Sequence, residues 1–422
     1  MNTSIKLSDE LKSKNGEFLI ILATFPLYYF FPVPVSLLWI VYHCYFGKHK
    51  LLTLALISVT FGLIASTTKS ISFELTDIER YKSAYYKLVG ATNFSEVLFH
   101  SVITSGEINV LFISINYFFT RVFPNYFPIM PLFWVSVTYF FSLLTFYQYF
   151  KDRNYTKGDY SFYFVVVVLL GIPFYQTTET IKQCTAIAIM GYSLVLKSQN
   201  HKGGVLWLII SLLVHLSGLF LLPVFFLLKN KNVIKYFLPV FIVAFLISFV
   251  NINDVFTSII GDYLGAGFKD RALLYTDYGW SLSRRYYVIL VLYGLITFFL
   301  YYSINKQKID SAKAQVDFSL LNMQILAFIF LLINRSNIHN FVRYTVTYFP
   351  FFILITLQTL DVLMPKKQKI VLWLFLIIFF AFMNITLMDF RTDFNSGYAN
   401  SYLDNSILNI VTFSVAEILK YK

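Results

Sequence analysis

Charged side chains are scarce in this chain. Asp, Glu, Lys and Arg make up 13% of the 422 residues, against 57% hydrophobic, and the mean hydropathy is +0.65. Soluble domains carry about 25% charge, so composition excludes an ordinary one. Cysteine is nearly missing. Cys44 and Cys184 both lie in apolar segments, which gives neither a disulfide framework nor a metal-ligand spacing. No nucleotide-binding fingerprint, ATPase motif or Ser-His-Asp spacing is found, which argues against a pump and against an enzyme fed by nucleotide sugars. The glycine-rich stretch 261–267 has no strand before it and no Lys-Ser/Thr after it, so it reads as a loop. Alternating segments of about 10 residues are absent too, which excludes a transmembrane β-barrel. The first apolar stretch lacks a small-residue cleavage site, and no cleavable signal is expected. With no internal repeat and no soluble-domain boundary, residues 1–422 read as a single multi-span membrane domain.

What the chain has in plenty is apolar runs. Many approach the roughly 20 residues that cross a hydrocarbon layer of about 30 Å. In lipid such runs must be helices, because each has to satisfy its own backbone hydrogen bonds. The expected fold is all-α and polytopic, with about 10–12 transmembrane helices and short re-entrant or outer-face helices. Aromatics reach 20%, which fits core, lipid-facing and interfacial positions. The net charge of +12 fits Lys-rich cytoplasmic loops and does not call for nucleic acid.

The distribution of charge sets the sides. Short basic stretches at 47–50, 151–159, 197–202, 229–235, 306–313 and 365–369 read as cytoplasmic. Longer segments that mix acids, arginines and aromatics read as outer: 67–107, 179–183, 251–285, 334–343 and 389–405. Residues 18–46, broken by Pro32 and Pro34, form either one kinked span or a tight hairpin. Residues 203–228 have basic flanks at both ends. A broken, re-entrant pair of half-helices with His215 near the break would keep both flanks on one side, and a single span is the competing reading.

Several constellations could carry chemistry. On a helix Asp77, Tyr81 and Tyr85 share a face, with Arg80 one turn from Asp77. The set suits sugar binding and acid–base work, and an ordinary amphipathic helix explains it equally well. Glu107 opens an apolar helix, where the backbone dipole alone would stabilise a carboxylate. Glu179, Lys182 and Gln183 lie just inside the outer end of an apolar helix and must face protein or water. His215, Ser217 and Gly218 form a polar notch in an apolar run, and Arg284 and Arg285 read as snorkelling anchors. If residues 334–344 continue the helix that follows, Arg335, His339 and Arg343 form one stripe that suits an anion. A solvated loop with snorkelling arginines is the alternative there.

Taken in order, these motifs resemble a known family. They are Thr76-Asp77 with downstream tyrosines, Glu107 before N-Y-F at 116–118, Lys182-Gln183, L-V-H-L-S-G-L at 213–219 and R-x7-R-Y at 335–344. The pattern is similar to Wzy-type polymerases of bacterial surface polysaccharides, within them the EpsG-like family. The chain has Lys182-Gln183 where that family usually has Arg-Gln, so the charge is kept and the bidentate fork is lost.

The resemblance implies a polymerase in the bacterial inner membrane, acting on the periplasmic face. It would transfer a growing glycan from undecaprenyl diphosphate to a new lipid-linked oligosaccharide unit. The implied partners are that lipid-linked oligosaccharide, the bilayer and a chain-length regulator, with neither cofactor nor metal. On this reading Arg335 and Arg343 hold the diphosphate with help from Lys182. Asp77, Glu107 and His339 are the candidates for general base. Gln183, Arg80, Tyr81 and Tyr85 contact substrate, and His215 supports the site from behind. A lipid-linked oligosaccharide flippase and a lipid-linked-sugar glycosyltransferase or ligase are the alternatives.

Overall fold

The computed structural model describes residues 14–46, 51–70, 77–99, 109–151, 161, 164–172, 174–250, 284–306, 318–336, 341, 374, 377–378, 381 and 392–394. Glu107, His339, Arg343 and the helix expected after residue 344 lie outside the described residues. So do nearly all of the outer segments 251–285 and 389–405.

The chain begins with a hairpin. Helix α1 (Lys14–Phe30) and helix α2 (Pro32–Phe46) meet at Phe31. Trp39 Nε1 donates to Thr24 Oγ1 at 3.0 Å, and the Tyr28 and Trp39 rings lie 4.6 Å apart. In one straight helix those fifteen residues would span about 22 Å, so the two prolines mark a reversal rather than a kinked span.

Helix α3 (Leu51–Ala65) then packs along the long helix α7 (Ile129–Lys151). Gly62 makes this approach possible, since a Cβ there would collide with Ser136 Oγ and the Leu132 carbonyl. Small residues at such crossings let helix backbones come close. Hydroxyls on both helices bond back to their own turns, as Ser58 does to the Leu54 carbonyl at 2.6 Å and Thr138 to that of Trp134 at 2.9 Å. This hides polar groups inside an apolar bundle.

Past α3 the chain forms a three-residue strand, β1 (Thr68–Ser70). It pairs antiparallel with β2 (Thr392–Phe394), Thr68 opposite Phe394. The described residues are helical as expected apart from this ribbon, whose strands are too short to show an alternating pattern. Helix α4 (Asp77–Gly90), the short α5 (Phe94–Phe99) and helix α6 (Val110–Val122) follow, and α4 packs on α6. A π turn (Val167–Gly171) and a short helix, α8 (Phe174–Glu179), lead into the buried helix α9 (Ile181–Ser198).

The next stretch reverses on itself. Helix α10 (Gly203–Val214) stops at His215, whose backbone is extended (φ −163°, ψ 137°), and a 3-10 turn (Leu216–Leu221) and helix α11 (Leu222–Leu227) lead back. The expected break falls at His215. Its two basic flanks also meet: Lys229 Nζ donates to Asn200 Oδ1, and Lys197 Nζ lies 5.1 Å from the centre of the Phe225 ring. Gly218 fits because a Cβ there would press on Leu212, Ser211 and Met190 at 3.0–3.3 Å.

After a single turn, α12 (Asn232–Lys235), come helices α13 (Phe237–Ile247), α14 (Arg284–Lys306) and α15 (Phe318–Ile333). Asn322 of α15 donates to the carbonyls of Leu228 and Asn230 at 2.9 Å each, which holds the returning arm of the hairpin in place. One large core joins Trp39, Ile57, Phe146, Ile187, Phe225 and Phe328, and a second joins Ile78, Tyr85, Phe112, Trp134, Ile181 and Val214.

Among the described residues, one helix is long and apolar enough by itself to cross a membrane, residues 129–150 with mean hydropathy 1.7. Shorter apolar helices surround it, from Leu19–Phe30 to Leu321–Ile333. Many apolar side chains face outward, among them Leu38, Val41, Phe226, Leu246 and Leu295, each more than half exposed. Water would penalise such a surface and hydrocarbon would not.

Candidate functional site

Helix α4 is amphipathic. It carries Asp77 and Glu79 in its first turn and Lys87 in its last, in line with the helix dipole. Ile78 and Tyr85 point into the second core. Its N-terminus meets the junction of α8 and α9. There the backbone N–H of Asp77 donates to Glu179 Oε2 at 3.1 Å. A carboxylate facing free N–H groups at a helix start is well placed electrostatically, and this one is only 8% exposed.

The junction owes its shape to Thr180. Its backbone (φ −106°, ψ 49°) leaves the helical region, while the Thr180 N–H still reaches the Gln176 carbonyl and the Cys184 N–H still reaches that of Thr180, both at 2.9 Å. The helix is interrupted at this bend, with one backbone bond kept on each side of Thr180. Glu179 ends one segment, and Lys182 and Gln183 open the next.

Lys182 Nζ lies 5.5 Å from the centre of the Tyr81 ring and 5.7 Å from that of Phe112. An ammonium in the first turn of a helix works against the dipole, and two aromatic faces offset part of that cost. Phe112 stacks in turn on Trp134 at 4.8 Å, and Trp134 Nε1 donates to Asn116 Oδ1 at 3.0 Å. Arg80 pairs with Asp77. The arginine side chain is 62% exposed and the aspartate 16%, so the pair sits at the rim with its acid inward. Such a pair orients the carboxylate more than it stabilises the fold.

Asp77, Arg80, Tyr81 and Lys182 are thus brought together, with Glu179 as the link between α4 and α9. Gln183 is buried beside Lys182 in the same turn. Tyr85 is placed differently from the expectation of a sugar contact. It is 1% exposed, and its hydroxyl donates to the Phe123 carbonyl at 2.7 Å, so it ties α4 to the end of α6. Burial pushes its phenol well above the ordinary value, with Tyr86 adding to the effect. Burial raises Tyr86 as well, helped by Glu79. Arg121 grips the other end of α4 through the Leu88 and Ala91 carbonyls, at 2.6 and 2.8 Å.

His215 reaches this level by helix register. Ser193 Oγ donates to the Gly204 carbonyl at 2.6 Å, and Ser211 Oγ to that of Ala186 at 2.7 Å. Both contacts fit one antiparallel alignment of α9 and α10. Four residues further along each helix, that alignment sets His215 level with Lys182. His215 Nδ1 accepts the Ser217 N–H at 3.1 Å and so caps the turn that follows.

Arg335 is not brought to this cluster by any contact among the described residues. It lies in a 3-10 turn (Asn334–Ser336) that directly follows α15. Its Nε donates to the Ser248 carbonyl at 3.2 Å, and its guanidinium lies 4.2 Å from the centre of the Phe249 ring. This is a cap on the C-terminal end of α13. The rest of the expected stripe, His339 and Arg343, lies outside the described residues.

Sequence reasoning did not anticipate Phe112, whose role depends on α6 lying under Lys182. Glu179 was visible as an acid three residues before Lys182, but not as the acceptor for α4. Chemically, the cluster can hold an anionic group against a cation while a carboxylate receives a proton from a hydroxyl.

No curated protein and no solved structure matches the sequence. The EpsG family model matches residues 68–402, from β1 to a point just beyond β2, and this chain belongs to the EpsG family.

Proposed function

We propose that this chain is a polytopic membrane protein that polymerises oligosaccharide repeat units carried on a lipid diphosphate, in building a surface polysaccharide. The observation that carries the reading is the junction of Asp77, Glu179 and Lys182, which sets a carboxylate and a cation together at one end of the bundle in an EpsG family chain. Family membership supports a polysaccharide-polymerase role. The charge distribution supports an inner-membrane chain with about 10–12 spans and this end of the bundle on the periplasmic side.

In the reaction, the hydroxyl of a new lipid-linked unit attacks the anomeric carbon of the growing chain. The new C–O bond forms as the bond to the lipid diphosphate breaks, and the diphosphate leaves with the electron pair. Lys182 holds the leaving diphosphate and offsets its growing charge. Asp77, oriented by Arg80, takes the hydroxyl proton. Glu179 fixes α4 relative to α9, so that base and cation keep their separation. Tyr81 presents the face of an aromatic ring to a sugar. Glu107, Arg343 and His339 keep their proposed roles from sequence, as base candidates and diphosphate ligand. Arg335 is reassigned to capping α13.

The test is reconstitution. Purified protein in liposomes is given lipid-diphosphate-linked oligosaccharide. Longer lipid-linked glycans, with one lipid diphosphate released per unit joined, support the proposal. Movement of the unit across the bilayer at constant length would indicate a flippase instead.

A further inference from the structure

The reversal at His215 has a second consequence, at the opposite end of the hairpin. Between Glu179 and Asp254 the sequence has no acidic residue, yet it has Lys197, Lys202, Lys229, Lys231 and Lys235 beyond the first turn of α9. In the sequence these form two groups some thirty residues apart. In the fold they form one, because Lys229 bonds Asn200 and Lys197 lies on Phe225. Asn322 fixes the returning arm through the Leu228 and Asn230 carbonyls. Asn200 makes the turn between α9 and α10 with a left-handed backbone (φ 62°), which asparagine tolerates better than most residues. Lys202, Lys229, Lys231 and Lys235 are exposed, and Lys197 is half-buried.

Apolar surface adjoins these cations. Val205 and Leu206 on the outgoing arm, Phe226 on the returning arm, and Tyr236 and Leu238 at the start of α13 are all exposed. A lysine cluster with no neutralising acid in its own segment, bordered by outward apolar side chains, matches a molecule with a phosphate at one end and acyl chains at the other. A soluble polyanion would use the lysines and leave the apolar border bare.

We infer that the two basic flanks of the His215 hairpin form a binding site for the headgroup of an anionic phospholipid. The inference rests on the membrane reading of the chain but not on the polymerase reaction. Each lysine near a membrane surface contributes about 1 kcal/mol toward anionic lipid, so four of them account for a preference of about a hundredfold or more.

The experiment uses the full chain purified in neutral detergent and titrated with short-chain phosphatidylglycerol or with phosphatidylcholine of the same chain length, reading the thermal midpoint. Phosphatidylglycerol is expected to raise the midpoint at a concentration about a hundredfold lower than phosphatidylcholine. The variant with Lys202, Lys229, Lys231 and Lys235 all changed to Gln should lose that difference, and the corresponding Arg variant should keep it. Lys82→Gln with Lys87→Gln, on α4, removes charge elsewhere and should leave it unchanged. Equal response of the wild type to both lipids would overturn the inference, as would an equal stabilisation by inorganic phosphate alone. A chain that stays folded in solution without detergent would overturn the membrane reading and this inference with it.

Discussion

Asp77 and Glu179 are 102 residues apart in the chain, and a hydrogen bond of 3.1 Å from the Asp77 N–H to Glu179 Oε2 joins them. Through it, the first turn of α4 is fixed to the bend at Thr180, and the Asp77–Arg80 pair is fixed relative to Lys182. Replacing Glu179 with Ala removes a charged acceptor from a helix start and should cost about 1–2 kcal/mol. Gln keeps an acceptor and should cost less. Hydrogen exchange of the α4 amides is the readout, and protection that stays at the wild-type level in Glu179→Ala would count against the link.

Lys182 should matter for chemistry more than for folding. Its contacts with Tyr81 and Phe112 are worth about 0.5–1 kcal/mol of stability. In the proposed mechanism it holds the leaving diphosphate, and there it should be worth about a hundredfold in rate. Lys182→Met should therefore give protein at normal level with polymer reduced to that extent, and Lys182→Arg should keep most of it. A Met variant with full-length polysaccharide would remove Lys182 from the mechanism.

Tyr85 offers a test of its structural placement. Tyr85→Phe loses the bond to the Phe123 carbonyl, about 1 kcal/mol, and should leave polymer length unchanged. Its phenol ionises later in the fold than in the unfolded chain. The stability it contributes is fully present below the ordinary tyrosine value near pH 10 and is lost as pH rises from there toward the folded value. Midpoints of wild type measured from about pH 8 to 11 should fall at the alkaline end more steeply than those of Tyr85→Phe.

The interruption near Phe31 (as a kink or a hairpin), the break at His215 and the grouping of Asp77 with Tyr81 were legible in the sequence. Each rests on a local signal: two prolines, a polar notch between basic flanks, and a helical spacing. What stayed hidden depends on tertiary geometry. Nothing local says that α6 puts Phe112 beneath Lys182, or that Tyr85 turns inward to the Phe123 carbonyl while Tyr81, one turn away, does not. Arg335 could not be placed from sequence, because a basic residue between two apolar runs can belong to either helix. It follows α15 and caps α13, where its guanidinium meets both a carbonyl and a ring. The β1–β2 ribbon was invisible for another reason, since three-residue strands carry no periodicity.

Gly62 reports on the bundle itself. Gly62→Ala drives a methyl group into Ser136 and the Leu132 carbonyl, one of them backbone, so α3 and α7 must separate. A cost of about 1–3 kcal/mol is expected. Pairing it with Ser136→Gly should recover only part of the loss, because the Leu132 carbonyl stays in place. Full recovery in the double variant would show that the backbones are not in close contact there.

The surface glycan of a strain lacking this gene tests the polymerase reading most directly. Without the protein, each surface carrier should bear a single repeat unit. The wild-type gene should restore long chains, and the Lys182→Met gene should leave single units. Carriers with no repeat unit at all would contradict a polymerase and point to transport or to ligation.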